Sequence, residues 1–385
     1  MASLTLTQEQ RDRVRYFLPA LVAGILAWFA LLLLGNTPLI RASGLALIIV
    51  GMTLALRPMG TLLSIIGGLA LAFSPSFWAQ TGGAEMLVPS EVLLTMGLAL
   101  GGGLIVLWLS KRPIFGIALA VIIFAALFLS AVGTPRSLRL TTLLAAWSLY
   151  LLVDGLLISN PRPDSPPTGE LALHHTLGLL LLLTIGVLND PLFVLFAPAV
   201  VLGLFLSKKS MSIWYWLLLI AVIAYGVYGM IALYVDDHWW VYPAASAEMV
   251  GLRVPFILAD GWRESSRWLR LMELITGQFT IFGLVLGVLG LARLSRWYPP
   301  VGVVTMIAYG SFAAFGLVYF GADAPVLLLP LLMIQVLWMT YAAYSFSQWL
   351  QKSASPTYRG VRWLAPAVFT LLPLLMLLRI VASRL

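Results

Sequence analysis

Ala72-Phe73-Ser74-Pro75-Ser76-Phe77-Trp78-Ala79-Gln80, continued by Thr81-Gly82-Gly83-Ala84-Glu85, closes an apolar run of membrane-spanning length. The run leaves the hydrocarbon through an aromatic pair, Phe77 and Trp78, of the kind that sits at a lipid–water boundary. It then delivers one carboxylate, Glu85, into a short loop. Similar runs recur from Phe17 to near the C-terminus, in a chain that is 61% hydrophobic and only 10% charged. A water-soluble domain cannot hide that much apolar surface, so lipid is the solvent for most of it. The runs lack the strict alternation of barrel strands, and helices satisfy their own backbone groups in lipid.

The expectation is therefore an all-α, polytopic integral membrane protein with about thirteen transmembrane helices, counted at ~20 residues per crossing. The spans are placed near 17–35, 43–56, 58–74, 90–109, 113–132, 139–158, 172–188, 191–207, 212–235, 278–295, 299–320, 324–347 and 363–382. Asn189-Asp190-Pro191 reads as a helix stop followed by a start, so the 172–207 pair forms either two crossings or a hairpin that does not cross fully. Residues 1–16 form a polar cytoplasmic leader, 17–158 an N-terminal transmembrane half, and 159–171 a Pro- and Ser-rich inner linker. Residues 172–385 form the C-terminal transmembrane half, with a long outer loop at 236–277.

Placing the N-terminus inside makes one set of connections strongly basic. That set holds Arg11, Arg13 and Arg15, then Arg57, Lys111, Arg112, Arg162, Lys208, Lys209, Arg293, Arg296, Lys352, Arg359 and Arg362. The net charge of +8 is thus spent on topology. It does not form the continuous basic surface that nucleic acid requires, so no nucleic-acid partner is expected. Cysteine is absent, which excludes disulfides, thiolate metal sites and thiol nucleophiles. The three histidines are too few and too scattered for haem or a zinc cage, and no cofactor is assigned.

The outer face receives the candidate chemistry. Asp236, Asp237 and His238 follow a helix end there, and a carboxylate beside histidine acts as a general base or holds a divalent cation. The alternative is a solvated helix terminus. Glu85 and Asp323 lie on the same side and are candidates on the same terms. Arg263, Arg267 and Arg270 share one face at helical spacing, with Trp262 and Trp268 nearby. They read either as a grip on the phosphate of a lipid-linked donor or as an interfacial helix touching lipid head groups. Asp154 lies near the inner end of the sixth run, where burial in the bundle would make it suggestive of function. His174 and His175 point in different directions on a helix, which argues against a shared metal.

Four segments, in order along the chain, resemble a bacterial family of polytopic, GT-C-like membrane proteins of unassigned function, related to transmembrane protein O-mannosyltransferases. They are 72–85 with the apolar run after it; Asn189-Asp190-Pro191-Leu192-Phe193 leading to Phe196-Ala197-Pro198; Ile275-Thr276-Gly277-Gln278-Phe279; and 319–330 around Asp323. The resemblance implies residence in the bacterial cytoplasmic membrane and transfer of a hexose or pentose from a polyprenyl-phosphate carrier at the outer face. On that reading Glu85, Asp236, Asp237 and Asp323 are the candidate catalytic acids, and Arg263, Arg267 and Arg270 bind the donor phosphate. The chain departs from the pattern in one place. The key acid of the GT-C arrangement sits in the first outer loop, and Gly35-Asn36-Thr37-Pro38-Leu39-Ile40-Arg41-Ala42-Ser43 contains none. The alternative function is a non-catalytic subunit that binds lipid or glycan, or partners another membrane protein. A transporter ranks third, because charges within the spans are sparse.

Overall fold

The computed structural model describes residues 8–37, 39–81, 89–110, 113–131, 138–159, 173–207, 209–232, 260–319, 324–353, 360 and 363–383. Among them the chain is helical throughout, with no β-strand, and the protein is an all-α polytopic membrane protein. Among the described residues eight helices are long and apolar enough to cross a bilayer, nine if one bent pair counts as a span. The other four expected runs are also helical: Pro89–Ser110, Pro113–Ala131, the shorter Leu173–Asn189, and Pro191–Leu206, which opens as a 3-10 turn.

In chain order the helices are α1 (Gln8–Leu33), α2 (Leu39–Leu56), α3 (Thr61–Ala72), the short α4 (Pro75–Trp78), α5 (Pro89–Ser110), α6 (Pro113–Ala131) and α7 (Leu138–Ser159). They continue with α8 (Leu173–Asn189), α9 (Ala197–Leu206), α10 (Ile213–Met230), α11 (Ser265–Trp297), α12 (Pro299–Val318), α13 (Ala324–Leu327), α14 (Leu329–Ser353) and α15 (Leu364–Ala382). Helices α4, α5, α6 and α12 begin on proline, whose missing N–H costs nothing in the first turn.

Lipid as solvent turns the usual pattern outward. On α1 the small side chains Ala20, Ala23 and Ala27 are buried against the bundle, while Phe17, Leu21, Ile25 and Phe29 are exposed. Helix α14 occupies the centre, and every residue from Leu329 to Ala343 is buried. It packs on α11 above all, and also on α3, α7, α12 and α15, so helices from both sides of the 159–171 segment share one core. Helices α5 and α6 instead pack chiefly on each other, at a crossing where a Cβ on Gly103 would lie 2.7 Å from the Gly116 carbonyl oxygen.

The α11–α14 contact is a backbone-to-backbone approach of the small-xxx-small kind. Gly283, Gly287 and Gly290 line one side of α11, and a Cβ on Gly290 would clash with the Trp338 carbonyl. Gln335 seals the contact by donating from Nε2 to the Gly283 carbonyl at 3.0 Å. Trp338 ties α14 to α12 as well, donating its indole N–H to Thr305 Oγ1 at 3.1 Å.

Two expected boundaries differ. The connection 236–277 is helical from Ser265 onward, because α11 extends well before the predicted start at 278. The 191–207 run opens as a 3-10 turn, Pro191–Phe196, before α9 begins. Asp190 holds that turn by accepting the Leu192 N–H at 3.1 Å, and its extended backbone is what the following proline demands.

The packing predicts a sharp contrast between two glycines. Gly290→Ala should destabilise the protein by about 1–3 kcal/mol or more through overpacking. Gly310→Ala, where nothing lies within 4 Å, should be neutral or slightly stabilising. Thermal unfolding of the two variants in detergent checks the difference.

Candidate functional site

Two helix breaks meet at one end of the bundle, the end that carries Arg41 and that the charge pattern expects to be outer. The first is at Phe73–Ser74. Helix α3 is 12 residues long, roughly 18 Å, and stops short of a ~30 Å hydrocarbon layer. Ser74 takes an extended conformation ahead of Pro75, and the chain turns by 61° into the segment Pro75–Thr81. The freed backbone is satisfied locally, with Ser74 Oγ donating to the Leu71 carbonyl at 2.8 Å and Arg41 Nη1 donating to the Thr81 carbonyl at 3.1 Å.

The second break is at Thr280 within α11, where φ is 62° and ψ 175°. A β-branched residue in that region is strained by about 1–3 kcal/mol, so the surrounding packing must impose it. Immediately before it, Gln278 accepts the backbone N–H of Ser76 on its Oε1 at 2.8 Å. Each break therefore supplies what the other lacks: an unpaired N–H in the first turn of α4, and a buried amide beside the kink. Phe77, Ser76, Gln80 and Phe279 are buried around the junction.

The three arginines are distributed differently from their predicted single face. Arg263 lies in a 3-10 turn, Gly261–Arg263, ahead of α11. Arg267 is buried and points into the bundle. Its Nε donates to the Leu317 carbonyl at 3.0 Å, and its Nη2 to the carbonyls of Gly316 (3.2 Å) and Tyr319. It thus caps the C-terminal end of α12, where carbonyls lack intrahelical partners and positive charge is favoured. Arg263 and Arg270 are exposed. The Arg263 guanidinium lies 5.0 Å from the centre of the exposed Trp262 ring, and Trp268 donates its indole N–H to the Trp262 carbonyl at 2.8 Å. Arg267 fastens the arm to α12, while Arg263, over the Trp262 ring, and Arg270 are exposed.

The candidate acids Glu85, Asp236 and Asp237, with His238, and Asp323 all lie outside the described residues. The segments from which two of them continue are adjacent: α4, ahead of the Glu85 loop, packs against α13, which follows Asp323. The α4 segment also packs against α11. No group of three or more His, Asp or Glu side chains suited to a metal is present among the described residues. A divalent cation at Asp236 or Asp237 falls outside them.

At the opposite end, Asp154 and His175 are brought together, with His175 Nε2 2.9 Å from Asp154 Oδ2. Each was noted in the sequence, but nothing in the spacing joins them. The Tyr150–Asp154 spacing of four, one face of a helix, was the available signal. Comparison of the chain with protein-family models, with curated proteins and with solved structures finds no match.

Arg267→Leu should cost about 2–3 kcal/mol, because it strips a buried charged donor from three carbonyls. Arg270→Ala should stay within about 0.5 kcal/mol. Denaturant or thermal unfolding of both variants in the same detergent separates the anchoring arginine from the free one.

Proposed function

We propose that the protein handles a polyprenyl-phosphate-linked sugar at the outer face of the bacterial cytoplasmic membrane, as a GT-C-like glycosyltransferase. The observation that carries this reading is a pair of exposed cations flanking the bundle-anchored Arg267: Arg263, whose guanidinium lies over the exposed Trp262 ring, and Arg270. Arginine binds phosphate oxygens through paired donors, and tryptophan favours the depth at which a lipid phosphate sits. In the reaction, a carboxylate from Glu85, Asp236, Asp237 or Asp323 takes the proton of the acceptor hydroxyl. The hydroxyl oxygen then bonds to the anomeric carbon, the bond from that carbon to the phosphate oxygen breaks, and polyprenyl phosphate departs with its charge held by the arginines.

A second reading has its own support. Helices α1 and α2 are joined by a tight turn, in which the N–H of Gly35 donates to the Ala30 carbonyl and that of Thr37 to the Leu31 carbonyl. Asn36 adopts a φ of 47° to close it. A turn of this kind leaves no place for an acidic first loop, which favours a non-catalytic member that binds the lipid-linked sugar for a partner membrane protein.

Purified protein in lipid nanodiscs, given radiolabelled polyprenyl-phosphate sugar with and without a divalent cation, tests both. Binding should weaken by roughly tenfold in the Arg263→Ala/Arg270→Ala double variant, about 1.4 kcal/mol. Turnover lost in Glu85→Gln or Asp237→Asn identifies the base. Binding without turnover in the wild type selects the non-catalytic reading, and no binding sinks both.

A further inference from the structure

The Arg57 end of the bundle contains a polar network that the proposed outer-face chemistry does not use. Tyr16 of α1 donates its hydroxyl to Asp154 Oδ1 of α7 at 3.3 Å, and its oxygen lies 2.8 Å from the Tyr150 hydroxyl. His175 of α8 holds the other carboxylate oxygen, Oδ2, at 2.9 Å. The Arg57 guanidinium sits 3.5 Å from the centre of the Tyr16 ring. The bonds have one consistent direction: Tyr150 to Tyr16, Tyr16 to Asp154, and the His175 Nε2–H to Asp154. Two donors, Tyr16 and His175, thus converge on the Asp154 carboxylate, with Tyr150 behind Tyr16 and Arg57 over the Tyr16 ring.

His175 is 1% exposed, and its second ring nitrogen, Nδ1, is buried with no hydrogen-bond partner among the described residues. A buried acceptor left unmatched is costly, and an ionisable pair inside a membrane bundle is costlier still. Packing alone accounts for neither, since apolar residues would fill the same space more cheaply. Asp154 retains 23% exposure of its side chain, which gives the pair access to water from this end.

We propose that Asp154 and His175 form a proton-binding site with H⁺ as its ligand. The proton bonds to Nδ1 of His175, the Nε2–H stays hydrogen-bonded to Asp154, and a bond from neutral imidazole to carboxylate becomes an ion pair between imidazolium and carboxylate. The new Nδ1–H has no acceptor in the packed interface, so loading the site loosens the contact between α7 and α8. The other titratable groups facing the pair are Tyr16 and Arg57, Tyr150 on α7, and His174, whose ring centre lies 4.0 Å from that of His175. Tyr215 of α10 reaches the same helix end, donating its hydroxyl to the Thr176 carbonyl at 2.9 Å. Tyr341 and Tyr344 of α14 face Val153 and Leu157 of α7 across a small recess. None of these offers Nδ1 a partner.

Full-length protein labelled with ¹⁵N-histidine in lipid nanodiscs tests the site by NMR between about pH 8 and about pH 5, the range in which imidazole changes charge. His175→Gln assigns the resonance by its loss. The wild type should show a single Nε2–H tautomer at the higher pH and a doubly protonated ring at the lower. Amide exchange in the first turns of α8, corrected for intrinsic rate, should rise by about tenfold at the lower pH, and His175→Gln should abolish that rise. Tyr16→Phe, which removes one donor from the same carboxylate and keeps the ring under Arg57, should shift the His175 resonances. Mixed tautomers at about pH 8, a neutral ring at about pH 5, an α8 exchange rate independent of His175, or resonances unmoved by Tyr16→Phe would each overturn the proposal.

Discussion

In hydrocarbon every backbone N–H and C=O must find a partner within the protein, and a helix that stops inside the bilayer breaks that condition. The structure meets it by pairing its two interruptions, the stop of α3 at Ser74 and the kink of α11 at Thr280, through the bond from Ser76 N–H to Gln278 Oε1. The arrangement at this end follows from that bond. It fixes where the Pro75–Thr81 segment lies, and it holds the Ser265–Phe279 arm of α11 against the bundle. Through Arg267 the arm also receives the end of α12. Irregular backbone at membrane depth is tolerated where protein buries it or where it lines a site. Here protein buries it, and the arm that the junction secures carries Arg267 and Arg270.

Much of the architecture was legible in the sequence for a simple reason. A span in lipid is specified by length and apolarity, so each expected run is helical, and Asn189-Asp190-Pro191 ends one helix and starts the next as its residues dictate. The aromatic pair Phe77 and Trp78 signalled a departure from the run, and the chain does turn there. The turn is a 61° bend at Ser74–Pro75, just ahead of the pair, and it leaves Phe77 fully buried in protein. Apolarity set the start of α11 too late. Its outer arm carries Arg267, Arg270 and Glu273, just after Arg263 and Glu264, and these charges lower the apolarity of the stretch to that of a loop, although its buried face at Arg267, Leu271 and Ile275 is helical.

Side-chain direction was the other limit. Helical spacing places Arg263, Arg267 and Arg270 together only if all three belong to one helix, and Arg263 precedes it in a 3-10 turn. Arg267 then follows the nearest uncapped carbonyls, those of α12, which no local pattern in the sequence connects to it. The pairing of Asp154 with His175 was hidden in the same way. Contacts between helices depend on rotation about each axis, which is set by the whole bundle, and a single carboxylate near a helix end is compatible with water or with burial.

The scarcity of charge sharpens what each polar group can be doing. With charged residues at 10% of the chain and most basic ones placed at helix ends, the polar side chains inside the bundle form a short set of bonds. Most of these are closed. Asn189 donates to Thr141 at 2.8 Å, Gln335 to Gly283 and Trp338 to Thr305, and each binds two helices together without leaving an atom over. The bonds at His175 are of another kind, because a satisfied carboxylate is joined to an imidazole whose second nitrogen is unmatched. A group serving packing alone would be selected toward closure, since an orphaned buried acceptor costs about 1–3 kcal/mol. That the open valence at His175 sits on an imidazole, a side-chain type that can take a proton, is the physical reason to assign it a function distinct from holding the helices together.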